Sequence, residues 1–321
     1  MNRSDVYQSV TDRIVEALEQ GTAPWRKPWI GGGPVNVRNG RHYRGINIFL
    51  LEITSAVKGY NDPRWGTFKA CMEAAVAHAR REGRTIEERS SKKGTIYLEN
   101  GELFAGGVRK GERATHVILW KPVVKKEAGD DSQDSENRYM LLRSYAVFNA
   151  NQCDEMPPRD EGFAHDPIER AEEIVRGFVP IGPVIQFGGG SAHYVPSRDL
   201  VACPPLDQFE RVEGYYSTLY HELVHSTGHE SRLDRLEKTG FGSGPYAKEE
   251  LVAEMGAAML CGMAGIDNLD QSAAYVKGWL SALRDDPKLV VQAAANAQRA
   301  SDLILGQTFA ESAAETELIA A

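Results

Sequence analysis

The residues with the plainest chemical meaning in this 321-residue sequence are His221, Glu222, Leu223, Val224 and His225. On a helix, the four-residue step puts both imidazoles on one face, one turn apart, where they can share a metal ion. Two neutral imidazoles at ~2.0–2.1 Å from zinc leave positions for a third protein ligand and for a water whose pKa the metal lowers toward ~7. Glu222, between the histidines, is then placed to take that water's proton as general base. The spacing predicts metal-assisted hydrolysis of the peptidase kind. It expects one Zn2+ per chain, with other divalent ions such as Mn2+ able to substitute.

A third ligand must come from elsewhere. A histidine three residues beyond Gly228 would complete one known spacing, but position 231 is Ser231. His229 lies nearer, yet at ~1.5 Å rise per residue it stands ~12 Å along the helix from His221, too far to share one ion unless the helix breaks at Gly228. It is expected instead to support a ligand from behind. Glu250 and Glu254, one turn apart in Lys248-Glu249-Glu250-Leu251-Val252-Ala253-Glu254-Met255, fit better. Glu250 is assigned to the metal, and Glu254 to the outer NH of a ligand histidine. A solvated acidic face is the alternative.

The elements that must carry these residues follow from periodicity. A helix is expected over Ser4–Glu19, where Tyr7, Val10, Ile14 and Leu18 recur at helical steps, and another over Thr67–Arg81. Strands are expected at Thr95–Leu98, Thr115–Val124 and Tyr139–Phe148, with a mobile polar loop over 127–137. Past Met156-Pro157-Pro158 come a helix over Pro167–Arg176 and strands at Val184–Phe187 and His193–Val195. Helices follow at Gln208–Ser226, Tyr246–Met263, Ser272–Arg284 and Asp286–Leu305. The reading is an α+β protein: an α+β domain over 1–150, a linker over 151–165, a mainly helical domain with a small sheet over 166–306, and a frayed tail over 307–321.

Charge divides the same way. Residues 1–150 hold 24 Lys and Arg against 18 Asp and Glu, a net +6, which leaves 13 against 27, a net −14, for the rest of a chain whose total is −8. Four of the five tryptophans (Trp25, Trp29, Trp65, Trp120) lie in the basic half. Aromatic faces stack on bases and neighbouring cations neutralise phosphates. That mixture occurs in Trp25-Arg26-Lys27-Pro28-Trp29, in Arg41-His42-Tyr43-Arg44 with Asn47, in Trp65-Gly66-Thr67-Phe68-Lys69, and, as charge alone, at Arg109-Lys110. On composition by itself, core tryptophans and a solvated basic face are favoured over a nucleic-acid platform. Four cysteines without CxxC spacing suggest free, mostly buried thiols in a reducing compartment. No stretch approaches ~18–20 uninterrupted apolar residues, so a cytoplasmic protein with no membrane partner is expected.

With these residues in view, the chain resembles the plasmid-encoded antirestriction proteins of the ArdC family. The resemblance runs from about residue 5 to 305. It is carried by Pro24-Trp25 through Tyr43-Arg44-Gly45-Ile46-Asn47, Trp65-Gly66-Thr67-Phe68 and Val147-Phe148-Asn149, then by His221 through His229 and Tyr246 through Glu254. It implies an amino-terminal domain that binds single-stranded DNA, a zincin-like metallopeptidase domain, and protection of incoming conjugative plasmid DNA from host restriction. It reverses the compositional preference and makes Trp25, Arg26, Lys27, Trp29, Arg41, Tyr43, Arg44, Asn47, Trp65, Lys69, Arg109 and Lys110 candidate DNA contacts. An unidentified host protein is the expected peptidase substrate.

Two rivals remain. A DNA-shielding protein would act by occupancy alone, with a structural or vestigial metal site. A nuclease would need a carboxylate-rich two-metal pattern that HExxH lacks.

Overall fold

The computed structural model describes residues 3–20, 33–91, 94–126, 136–159, 166–236, 244–266 and 273–307. In chain order these form α1 (Arg3–Glu19), β1 (Val35–Asn36), α2 (Ile46–Lys58), β2 (Arg64–Gly66) and α3 (Phe68–Arg81). Next come β3 (Ile86–Ser91), β4 (Gly94–Glu99), β5 (Glu102–Leu103), β6 (Gly107–Val108), β7 (Thr115–Lys126), β8 (Glu136–Asn149) and β9 (Cys153–Asp154). The chain continues with α4 (Pro167–Phe178), β10 (Val184–Phe187), β11 (His193–Val195), β12 (Leu200–Cys203), α5 (Val212–Thr227), α6 (Gly244–Ala264), α7 (Ala273–Asp285) and α8 (Leu289–Ile304). The fold is α+β. Among the described residues no helix is long and apolar enough to cross a membrane, and all four cysteines are free and buried.

The chain separates into two compact units. The first comprises Met1–Val35, Asn39–Arg64 and Pro158–Thr308, the second Asn36–Arg38, Trp65–Pro157 and Phe309–Ala321. This grouping differs from the 1–150 and 166–306 division expected from the sequence, because α1 and α2 pack among the carboxy-terminal helices. The physical reason is the apolar stripe Val6, Tyr7, Val10, Ile14 and Leu18, buried on α1, which meets α2, α7 and α8. Polar ties fix it. Thr11 Oγ1 donates to the Pro287 carbonyl at 2.7 Å, and Arg13 Nη2 donates to the Leu50 carbonyl and Thr54 Oγ1 at 3.1 and 2.7 Å.

Within the first unit, α5, α6 and α8 pack on one another. From Leu251 to Leu260 every residue of α6 is buried, as expected of a stretch that is apolar all round apart from Glu254. Gly256 sets the closeness of this packing: a Cβ there would stand 2.7 Å from Val224 Cγ2 of α5. Asp166 caps α4, accepting from the Ile168 and Glu169 amides at 2.9 and 3.3 Å. The small sheet has order β10-β12-β11, with β12 parallel to β10 and antiparallel to β11. Thus β11 is an edge strand. The sequence did not reveal β12, a four-residue apolar segment buried between its neighbours, or α2, whose start Ile46–Leu51 is apolar except for Asn47 and carries no helical alternation.

In the second unit the sheet β1-β2-β8-β7 is dominated by the antiparallel β7–β8 pair, in register from Thr115↔Val147 to Lys126↔Glu136. The loop expected at 127–137 ends at Glu136, where β8 begins; its residues 127–135 lie outside the described residues, as do the tail residues 308–321. Thr67 caps α3, its Oγ1 accepting from the Ala70 amide at 3.2 Å. Ala75, Val76 and Ala79 of α3 bury against Ile86 and Phe104.

Candidate metal centre

α5 carries His221, Glu222 and His225; α6 carries Glu249, Glu250 and Glu254. The close α5–α6 approach brings three donors together. The His221 and His225 Nε2 atoms lie 3.1 Å apart, and each is 3.5 Å from a different Glu250 oxygen. A tetrahedral site with bonds of ~2.0–2.1 Å has ligand–ligand edges of ~3.3 Å. The three separations are close to that edge, though they draw on both Glu250 oxygens; with one donor atom from each residue the three donors lie within 4.8 Å of one another, a set that could hold one divalent metal ion. All three residues, and the buried Glu222, line a cavity of 460 Å³ that also takes in His193 and Tyr194 of β11 and Tyr246 of α6.

The outer faces of the histidines are held as well. The Nδ1 of His225 lies 3.3 Å from Glu249 Oε1, and the Nδ1 of His221 lies 3.7 Å from Glu254 Oε1. A carboxylate at Nδ1 keeps the proton there and leaves Nε2 free for a metal. Glu249 is in turn gripped by Arg235, whose Nη2 also donates to the Val224 carbonyl at 2.9 Å and whose Nη1 donates to Thr227 Oγ1 at 3.0 Å. Arg235 reaches this place because the chain folds back over Gly228: the Arg235 and Leu236 amides both donate to the Gly228 carbonyl, and a Cβ at Gly228 would stand 2.8 Å from Leu236 Cγ.

Titration follows the same contacts. Burial lowers the His225 pKa, but hydrogen bonds to Glu249 and Glu250 outweigh it and push it up to about 10. His221, opposed by the same burial, is raised by Glu250. Burial would raise Glu250, yet the two imidazoles hold it well below the usual carboxylate range. Glu249 is also lowered, with Arg235 and then His225 overcoming its burial.

The structure thus brings together His221, Glu222, His225, Glu250 and Glu254. It does not bring in His229. That residue follows the end of α5, and its Nδ1 pairs with Ser231 Oγ at 2.8 Å; the position beside a candidate ligand, expected of His229, is occupied at His225 Nδ1 by Glu249. Sequence reasoning missed Glu249 because it neighbours Glu250 without sharing its helical face. It missed Arg235 because a loop residue fourteen positions away gives no periodic signal.

The candidate DNA contacts fare unevenly. Trp25, Arg26, Lys27 and Trp29 lie outside the described residues. Tyr43 and Trp65 require correction: each is 1% exposed, so neither offers a ring face to a base. Asn47 is also buried. Arg44 is committed to Asp302, and Arg109 holds the Asn151 and Cys153 carbonyls with Glu112. Arg41, Lys69 and Lys110 are exposed.

Comparison with known proteins agrees with this architecture. Residues 4–148 match the family described as the N-terminal domain of anti-restriction factor ArdC, and residues 169–296 match a family described as a zincin-like metallopeptidase. The protein y4eC of Sinorhizobium fredii (strain NBRC 101917 / NGR234) is 33% identical over 315 residues, covering 95% of this chain and 92% of that protein. DNA primase TraC of Escherichia coli is 34% identical over 321 residues, covering 93% of this chain but 27% of TraC. The metal-free crystal structure of the antirestriction ArdC protein from plasmid R388 superposes with a TM-score of 0.70 at 37% identity, covering 97% of this chain and 98% of that one. Its Mn(II)-bound form gives 0.68, again at 37% identity, covering 94% and 97%. Sequence match, structural match and a zincin-like donor set agree across nearly the whole length: the chain belongs to the ArdC antirestriction family.

Proposed function

We propose that this protein protects incoming plasmid DNA as a single-strand-binding, metal-dependent peptidase, with His221, His225 and Glu250 as ligands and Glu222 as general base. The observation that carries the reading is Glu222 itself, a buried carboxylate on the ligand helix that faces the cavity between the two ligand histidines and the edge strand β11. When bound, a divalent cation, zinc by preference for this donor set, supplies Lewis acidity and lowers the pKa of a nearby water. Glu222 takes the proton from the attacking water and passes it to the leaving amine. Glu249 and Glu254 hold the imidazoles so that Nε2 faces the cavity, and β11 offers its edge to an extended peptide of a host protein.

The test is Glu222→Gln, assayed against host extract by proteomics and for antirestriction in a recipient strain. Loss of cleavage with metal content unchanged supports the mechanism. Cleavage at the wild-type rate in that variant would overturn it, and antirestriction that survives without any cleaved protein would favour shielding by occupancy.

A further inference from the structure

In the second unit one aromatic pair is left open to solvent where the sheet meets α3. Phe68, the first residue of α3, is 55% exposed, and its ring meets the half-buried Phe148 of β8 edge-on at 6.2 Å and 74°. Gly66 pairs with Phe148 across the strands, and Val37 occupies the space that a Gly66 Cβ would take, so Phe148 is half-buried and Phe68 is the exposed ring of the pair. Two residues back on the same face of β8, Ala146 is exposed and pairs with the exposed His116 of β7. The small side chain leaves a shelf beside Phe148. Two exposed cations meet one carboxylate of α3: Lys69, the residue after Phe68, lies 3.8 Å and Arg38 3.9 Å from Glu73. Both are exposed and loosely paired, and such pairs contribute little and are readily exchanged for another anion.

We infer that Phe68 and Phe148 form a base-stacking platform whose flanking Lys69 and Arg38 take the phosphates of single-stranded DNA. This rests on the single-strand binding proposed above and gives that binding its place. Charge complementarity selects the occupant. The rings offer π-faces, which any base can use, while Lys69, next to Phe68 in the chain, and Arg38 offer exposed positive charge, the combination that sequence-tolerant strand binding requires. An apolar protein partner would instead leave Lys69 and Arg38 against a desolvated face, a costly arrangement. The aromatic needed by the basic half is thus the exposed Phe68, not the buried Trp65 three residues before it.

The test is binding of a labelled oligothymidylate to the full chain, followed by fluorescence anisotropy at several salt concentrations, with melting curves for each variant. Phe68→Ala is expected to weaken binding by about 5- to 150-fold, Phe68→Trp to restore it, and Lys69→Ala to weaken it while reducing the salt slope by about one. All three should melt like the wild type. Wild-type affinity in both Phe68→Ala and Lys69→Ala would overturn the platform while leaving single-strand binding in place. A wild-type protein that binds no single strand at low salt would overturn the underlying reading, and the platform with it.

Discussion

Arg235 closes on Glu249 with two hydrogen bonds, Nε to Oε2 at 2.8 Å and Nη2 to Oε1 at 2.7 Å, and that same carboxylate faces Nδ1 of His225, a proposed metal ligand. A planar guanidinium matched to both oxygens of a carboxylate fixes its rotation as well as its charge. The orientation of one proposed metal ligand therefore depends on a residue in the loop beyond α5.

Replacing Arg235 by alanine should loosen the metal without removing a ligand. Glu249, partly buried, would lose its guanidinium and keep the protonated His225 beside it in the metal-free protein, so the cost should stay below the ~3–5 kcal/mol of breaking a fully buried pair. His225 would lose its fixed ring orientation, and supports of this kind are worth about 10- to 100-fold in metal affinity. Chelator competition on the wild type and on Arg235→Ala measures the affinity, and melting of the metal-free proteins measures the stability. An unchanged metal affinity would show that Arg235 serves the loop alone.

Proton competition should be strong at this site. In the metal-free protein His225 is raised to about 10 and His221 is raised as well, so at neutral pH protons occupy nitrogens that a metal must take. Metal binding should release protons, and its affinity should climb as pH rises. The stability of the metal-free protein runs in the opposite sense: the contribution of raised histidines is fully present below ~6.5, their unfolded value, and is lost as pH rises through about 10. Glu250, held low, contributes above its unfolded value of ~4.3 and loses that contribution as pH falls through its lowered one. Calorimetric titration in buffers of differing ionisation enthalpy would read the proton count directly. Zero proton release near neutral pH would contradict the ion-paired metal-free site.

Some of this site was legible in the sequence because local helical geometry encodes it. His221 with His225, and Glu250 with Glu254, are each one turn apart, so each pair shares a face whatever the rest of the chain does. What joins the pairs was not legible. The α5–α6 contact depends on Gly256 meeting Val224, and Arg235 reaches Glu249 only after the turn at Gly228; neither leaves a local pattern. At Tyr43 and Trp65 burial agrees with the compositional preference for core aromatics and overturns the contact role that the resemblance implied, since an aromatic beside basic residues reads alike whether it faces solvent or core. The α1 stripe was evident, but its partner was not: periodicity says that a face is buried, not against which helix.

Gly256→Ala should act at a distance from the metal. Its added methyl would meet Val224 Cγ2 at 2.7 Å and Cγ1 at 2.9 Å, and a core this closely packed yields by backbone shift at about 1–3 kcal/mol. The shift separates α5 from α6, the two helices that contribute the donors. Weaker metal binding should accompany the lower melting temperature, and Val224→Ala in the same chain should recover part of both by vacating the contact. If the double variant recovers neither, the α5–α6 approach does not depend on this pair.

The assignment of Glu250 is tested by metal content. Wild type, Glu250→Ala and His229→Ala, purified in parallel and stripped of loosely held ions, should give about one equivalent of divalent metal, almost none, and about one. On the proposed assignment the carboxylate supplies one of three donors, whereas His229 is engaged with Ser231. Because Glu250 also offsets the charge of two partly buried imidazoles, Glu250→Gln belongs beside the alanine variant: it keeps the shape and a carbonyl oxygen but removes the negative charge, and should hold metal more weakly than wild type. Retention of a full equivalent in Glu250→Ala would place the third ligand elsewhere, and loss of metal in His229→Ala would return that histidine to the site.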